Sequence, residues 1–282
     1  MASFLTGLIG RDIGRSLSPW LHEQEAKAQG VNLIYRLFDF AADGLGEADL
    51  DRMLAALQLC GFAGVNVTHP YKQAVIAHLD ELSEQAAQIG AVNTVAFRNG
   101  RRYGYNSDIF GFAENLRTGL PNAPLDQVVQ MGSGGAGAAT AHALMGMGTG
   151  KLVLFDPNRD RALTLCASLN AIYGNGRAIV GDDLAQAIRS ADGIVNATPL
   201  GMVGYPGSAV PQACLDPRLW VTDIVYFPLE TQLLAEARAA GCRVLDGSGM
   251  TIFQAAGAFE HFTGRKADPA RMRASFQAIS AR

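Results

Sequence analysis

Charge is scarce in this 282-residue chain: Asp, Glu, Lys and Arg make up 17% of it, and the formal net charge is −3. A broad nucleic-acid-binding surface needs clustered cations, so no nucleic-acid partner is expected. Cysteine is scarce too. Cys60, Cys166, Cys214 and Cys242 are scattered, form no CxxC pair and sit among apolar or small residues. They read as buried reduced thiols, neither disulfides nor metal ligands. His22, His78, His142 and His261 show no ligand spacing, and no metal is expected. No apolar run approaches the roughly 18–20 residues that span a bilayer. Met1-Ala2-Ser3-Phe4 lacks the basic start and apolar stretch of a signal peptide. The expectation is a cytoplasmic protein with no membrane partner.

Apolar residues are plentiful, at 49%, and so is glycine, at 32 positions. That composition suits a globular chain with a sizeable core and many tight turns. Strand-like and helix-like segments alternate almost throughout. In the first third, strands are expected near residues 4–10, 33–40 and 64–68, with helices near 19–29, 47–59, 71–78 and 83–88. Asn99-Gly100 predicts a two-residue hairpin between segments 92–97 and 101–105. From about residue 108 a stricter strand–helix rhythm begins, the habit of a doubly wound parallel sheet. Two helices close the chain. The fold class expected is α/β: an N-terminal α/β substrate domain, residues 1–107 with 250–282, and a Rossmann dinucleotide-binding domain, residues 108–249.

Gly132-Ser133-Gly134-Gly135-Ala136-Gly137 satisfies GxGxxG, follows an apolar strand and opens an Ala-rich helix. The first glycine permits the turn, the second lets backbone approach a pyrophosphate, and the third allows close helix packing. Asp156 ends the next apolar strand, 19 residues after Gly137. A carboxylate there hydrogen-bonds a ribose 2′-hydroxyl and repels a 2′-phosphate, which favours NAD. Asp156 could instead cap the following helix, as could Asn158. Arg159 and Arg161 are near enough to accept a 2′-phosphate, which keeps NADP open.

Upstream lie polar clusters of another kind: Asn66-Val67-Thr68-His69-Pro70-Tyr71-Lys72, Gly90-Ala91-Val92-Asn93-Thr94 and Asn106-Ser107-Asp108. They supply the amides and hydroxyls that a polyhydroxylated small molecule needs, plus a Lys72/Asp108 pair able to move a proton. Ketone reduction builds charge on oxygen as hydride arrives. An ammonium can stabilise that charge and donate, and a nearby carboxylate can orient it.

With Ser16-Leu17-Ser18-Pro19, the segment 196–202 (Asn-Ala-Thr-Pro-Leu-Gly-Met), the run from Asp223 to Thr231 and Gln254-Ala255-Ala256, these motifs resemble the shikimate dehydrogenase family in order. The resemblance spans about residues 7–260. It implies reversible NAD(P)-linked hydride transfer between 3-dehydroshikimate and shikimate or a close analogue, a hydroxylated cyclohexene or cyclohexane carboxylate. It also implies Lys72 and Asp108 as the catalytic pair. Ser16 and Ser18 would hold the carboxylate, Asn66, Thr68, Asn93 and Gln254 the ring hydroxyls, and Tyr226 would lie near carboxylate and nicotinamide. Cofactor contacts would come from Gly132, Gly134, Gly135, Ala136, Gly137, Asp156, Asn158, Arg159, Asn196, Thr198, Pro199, Met202, Val225, Gly249 and Met250.

Two departures from the family pattern stand out. Where NADP-dependent members carry Asn-Arg-Thr, this chain has Asp156-Pro157-Asn158, and Thr251 and Phe253 replace an expected Leu and a polar residue. A quinate or aminoshikimate dehydrogenase with weak shikimate activity is therefore the alternative within the enzyme class. Outside it stands a non-catalytic NAD(P)-linked ligand sensor. A monomer or a homodimer fits the sequence equally.

Overall fold

The computed structural model describes residues 2–280. They form two compact units, one holding the residues up to Ser107 and those from Ile252 on, the other holding Asp108–Thr251. Residues 1, 281 and 282, which the sequence reading assigns to the first unit, lie outside the described residues.

The first unit begins with β1 (Ser3–Gly10), α1 (Ser18–Ala28), β2 (Asn32–Asp39), α2 (Leu50–Leu59) and β3 (Gly64–Val67). β4 (Glu81–Leu82), α3 (Glu84–Ile89), β5 (Thr94–Arg98) and β6 (Arg101–Tyr105) follow. Their sheet has the order β2-β1-β3-β5-β6-β4. β1 pairs in parallel with β2 and β3, whereas β5 runs antiparallel to β3 and β6. α1 opens with Pro in its first turn, where an N–H would have had no helical partner. Asn99 (φ 52°) and Gly100 (φ 76°) close the β5–β6 hairpin with the two positive φ angles that its turn requires. Leu50, Leu54 and Leu57 of α2 lie at helical spacing and pack on Ile9, Phe40, Val65 and Val95.

Segment 71–78 departs from the expected α-helix: it is a turn followed by a short 3-10 helix over Ala74–His78. The Lys72 carbonyl accepts from Val92 N–H at 2.8 Å. An acceptor that an α-helix would have used is thus committed to a tertiary contact. Two-residue β4 went unforeseen because it is too short to show a period.

The second unit runs α4 (Asp108–Gly119), β7 (Gln127–Met131), α5 (Gly135–Gly146), β8 (Lys151–Phe155), α6 (Arg159–Tyr173) and β9 (Ala178–Val180). It continues with α7 (Leu184–Arg189), β10 (Gly193–Asn196), β11 (Trp220–Asp223), α8 (Gln232–Ala239) and β12 (Arg243–Leu245). Every pairing in its sheet, ordered β12-β11-β10-β7-β8-β9, is parallel. Apolar clusters are built around Leu144, Leu152 and Trp220 and around Val129, Ile194 and Leu233, as a doubly wound sheet requires. Strand order reverses between β7 and β10. Such a switch point opens a crevice at the carboxyl ends of the strands.

The chain ends with α9 (Ser248–Thr263) and α10 (Pro269–Ser280). The boundary between units falls inside α9, after Thr251, rather than at 249/250 as the sequence suggested. Met250 is 6% exposed and packs in the core with Phe112 and Leu116, which holds that turn to the second unit. α10 is tied to α1 through Arg271, which donates twice to Glu25 at 2.7 Å. Burial opposes the Glu25 charge, but the hydrogen bonds from Arg271, Gln29 and the Asp268 N–H outweigh it and hold the carboxyl below its usual range.

Candidate active site

In the first unit the β3–β5–β6 register brings the polar motifs to one end of the sheet: Asn66 faces Thr94, and Thr94 faces Tyr105. Asn66 Nδ2 donates to the Asn93 carbonyl at 3.1 Å and to Thr94 Oγ1 at 3.0 Å. Asn93 Oδ1 accepts from Thr94 Oγ1 at 2.9 Å, Ser107 N–H at 3.0 Å and Ser107 Oγ at 3.2 Å. Asn93, Asn106 and Ser107 are buried. Val92, whose N–H fixes the Lys72 carbonyl, immediately precedes Asn93, so the lysine backbone is anchored beside this cluster. Thr68 is held through its N–H to the Ile9 carbonyl at 2.9 Å.

Ser16 lies in the loop after β1. Asp39, at the end of β2, braces that loop by accepting from the N–H groups of Asp12 and Ile13, each at 2.9 Å. Burial works against the Asp39 charge, yet those bonds and one from Ala41 keep its carboxyl below the usual range. Ser16 Oγ donates to Ser18 Oγ at 3.1 Å. Gln254 is partly buried on α9, in the same unit. Asp108, the first residue of α4, is 3% exposed and directly follows Ser107 in the chain.

In the second unit the glycine turn joins β7 to α5. Gly132 has φ +95°, and a Cβ there would lie 2.6 Å from the Ala197 carbonyl oxygen. The turn thus packs against the loop after β10, next to Thr198. A Cβ on Gly137 would collide with Gly132, so the third glycine is needed for contact between helix and turn. Gln130, fully buried in β7, donates to the Gly132 carbonyl at 2.9 Å and the Gly137 carbonyl at 2.8 Å, and accepts from Thr140 Oγ1 at 2.9 Å. Asp156 accepts from Ser133 N–H at 2.7 Å and Asn158 N–H at 2.8 Å, which ties the end of β8 to the glycine turn. Asn158, not Asp156, caps α6. Arg159 pairs with Asp182 at 2.8 Å, whereas Arg161 lies 3.9 Å from Asp156.

Asn196 is fully buried, and both ends of its amide are engaged. Its Nδ2 donates to the Leu200 carbonyl and Asp223, and its Oδ1 accepts from Thr198 N–H and Oγ1. Its side chain shapes the loop that carries Pro199 and Met202. Asp223 accepts from Asn196, Val225 N–H and Thr231 Oγ1. Burial nevertheless pushes its carboxyl above the usual range. Tyr226 is 41% exposed. A Cβ on Gly249 would run into the Asn115 side chain, so only glycine fits there.

These features fit a dinucleotide. Gly134 and Gly135 have open space where a Cβ would point, and the buried Ser133 Oγ has no protein partner among the described residues. Among the described residues no His/Cys/Asp/Glu group could hold a metal, and no helix is long and apolar enough to cross a membrane. Sequence reasoning assigned no site role to Tyr35, Asp39, Gln130 or Asp223. Gln130 left a signal, a lone amide in an apolar strand. For the others the partner alone reveals the role.

A doubly wound parallel sheet with a glycine turn at its first strand and an acid closing the next is the architecture of nicotinamide-dinucleotide-linked oxidoreductases. Residues 8–95 match the shikimate dehydrogenase substrate binding domain, and residues 247–275 match the shikimate 5'-dehydrogenase C-terminal domain. The chain is 50% identical over 280 residues to shikimate dehydrogenase (NADP(+)) of Streptomyces avermitilis, covering 99% of this chain and 96% of the relative. It is 49% identical over 281 residues to quinate/shikimate dehydrogenase (NAD(+)) of Corynebacterium efficiens, covering 98% and 99%. Quinate dehydrogenase from Corynebacterium glutamicum in complex with NAD superposes with a TM-score of 0.94 at 46% identity, covering 99% of this chain and 100% of the other. The chain belongs to the shikimate dehydrogenase family.

Proposed function

We propose that this protein is an NAD(P)-dependent dehydrogenase that interconverts a secondary alcohol and a ketone on a hydroxylated ring carboxylate of the shikimate or quinate type. The observation that carries the reading is the amide–hydroxyl cluster of Asn66, Asn93, Thr94 and Ser107 at one end of the first sheet, with Lys72 anchored beside it. It suits the hydroxyls of a small ring, and the relatives named above act on shikimate or quinate. When bound, the dinucleotide takes up or delivers the hydride. In the reduction direction Lys72 Nζ stabilises the developing alkoxide and donates the proton that completes the alcohol. In oxidation the same nitrogen receives that proton, and Asp108 shares the load. Ser16 and Ser18 hold the carboxylate. Thr68 and Gln254 complete the hydroxyl contacts, and Tyr226 is a further binding residue of the family pattern.

Gly132, Gly134, Gly135, Ala136 and Gly137 cradle the pyrophosphate at the α5 N-terminus. The loops holding Thr198, Pro199 and Met202, together with Val225, Gly249 and Met250, take the rest of the cofactor. NAD is preferred, because a carboxylate at the end of the second nucleotide-binding strand, here Asp156, favours a free ribose 2′-hydroxyl over a 2′-phosphate. The same feature favours the quinate/shikimate, NAD-linked branch of the family. The protein works in the cytoplasm as a monomer or homodimer.

The test is a steady-state matrix of shikimate, quinate and aminoshikimate against NAD and NADP. Turnover with at least one ring acid, faster with NAD, is expected. Ligand binding without any dinucleotide reduction would convert the reading into that of a sensor.

A further inference from the structure

We propose that Tyr35 is a positioning residue that holds the Asn66 amide of the Asn66–Asn93 cluster in the orientation it presents to the ring. The assignment rests on the functional reading above. Tyr35 is 4% exposed on β2, and its ring lies 4.8 Å from that of His22. Its phenol donates to Asn66 Oδ1 at 2.8 Å, with the Ser18 hydroxyl beside it.

The direction of each bond follows from groups that can act in only one sense. The Asn93 carbonyl only accepts, so the Asn66 atom facing it must be Nδ2, and Oδ1 must face Tyr35. The phenol therefore has to donate, and burial, which pushes its ionisation up, keeps the proton in place. The Ser107 N–H only donates, so the Asn93 atom facing it must be Oδ1. Thr94 accepts from Asn66 and donates to Asn93, closing the relay.

A consequence for the ligand follows. Both Asn66 N–H bonds are engaged, so Asn66 can only accept from a ring hydroxyl. Asn93 Nδ2 donates to no protein group among the described residues, so Asn93 can only donate to one. The pocket thus asks one ring hydroxyl to give a proton and another to receive one. Tyr35 holds the first amide to that polarity.

The experiment uses Tyr35→Phe in the full chain, with shikimate and quinate as probes. Dissociation constants are read by calorimetry, and KM and kcat by steady-state kinetics. Removing the hydroxyl leaves Asn66 Oδ1 without its donor. The expected result is a roughly tenfold rise in the ring acid's Kd and KM, with a smaller change in kcat and the dinucleotide KM unchanged. In an Asn66→Ala background the same substitution should have little further effect, because Tyr35 acts through that amide. A merely structural tyrosine would lower Tm without this split. An unchanged ring-acid Kd, or an equal effect in the Asn66→Ala background, overturns the assignment. Thr94→Val cuts the relay one bond further on and serves if Tyr35→Phe does not fold. The same rise is expected, and an unchanged Kd is equally fatal. Wild-type protein that binds neither acid sinks the functional reading and this assignment together, whereas normal wild-type binding with an indifferent Tyr35→Phe sinks this one alone.

Discussion

Lys72 and Asp108 are held in different ways. The lysine sits on a turn whose carbonyl is clamped by Val92, and the aspartate opens α4 at 3% exposure. Removing either functional group should leave the fold intact and strike the proton-transfer step. Lys72→Met and Asp108→Asn are each expected to lower kcat by about 10²–10⁴-fold, while NADH affinity measured by fluorescence titration stays within about threefold of wild type. Retention of more than a tenth of kcat in both variants would remove them from the chemistry. Under the proposed NAD preference, the Asp156 carboxylate repels a 2′-phosphate. Asp156→Asn keeps a side chain that can accept from Ser133 N–H but removes the charge. The ratio of kcat/KM for NAD over NADP should fall by about tenfold, and an unmoved ratio would assign the preference elsewhere.

At the scale of elements, the β7–α5 turn depends on a side chain below it. Gln130 bonds two turn carbonyls and accepts from Thr140, all out of water. Gln130→Leu should destabilise the protein by about 2–4 kcal/mol in urea unfolding and raise the dinucleotide KM. Stability within about 0.5 kcal/mol of wild type would show that the turn holds itself. The turn's place was legible because glycine spacing, a preceding apolar strand and a following helix are local features. Its support was not, because nothing in Val128-Val129-Gln130-Met131 says where the amide points. Segment 71–78 makes the same point in reverse. Its apolar spacing reads as helical, but a hydrogen bond from Val92, remote in sequence, claims the Lys72 carbonyl.

For the whole molecule, pH is the informative variable. Burial lowers the His22 pKa from 6.5 to about 3, against the opposing pull of Glu25. Between those values the unfolded chain binds a proton that the folded one refuses, so this contribution is complete above pH 6.5 and is lost on acidification. Burial lowers His142 and His261 in the same sense. Stability should therefore fall from pH 6.5 to 4.5. In His22→Leu the slope should be shallower by up to about 1.4 kcal/mol per pH unit, read by urea titration across that range. Parallel profiles for the two proteins would show that His22 is not the titrating group. Below pH 4.5 the depressed carboxyls of Glu25 and Asp39 add to the loss. The alternation of strands and helices and the glycine turn ahead of Asp156 were legible in the chain alone. Periodicity and spacing act over a few residues and need no partner. Packing alone brings Tyr35 to Asn66, sets Asp39 under the Ser16 loop and turns Asn93 Oδ1 toward the Ser107 N–H. Hydrogen-bond polarity is settled between atoms that lie far apart along the chain, once packing has brought them within 3 Å.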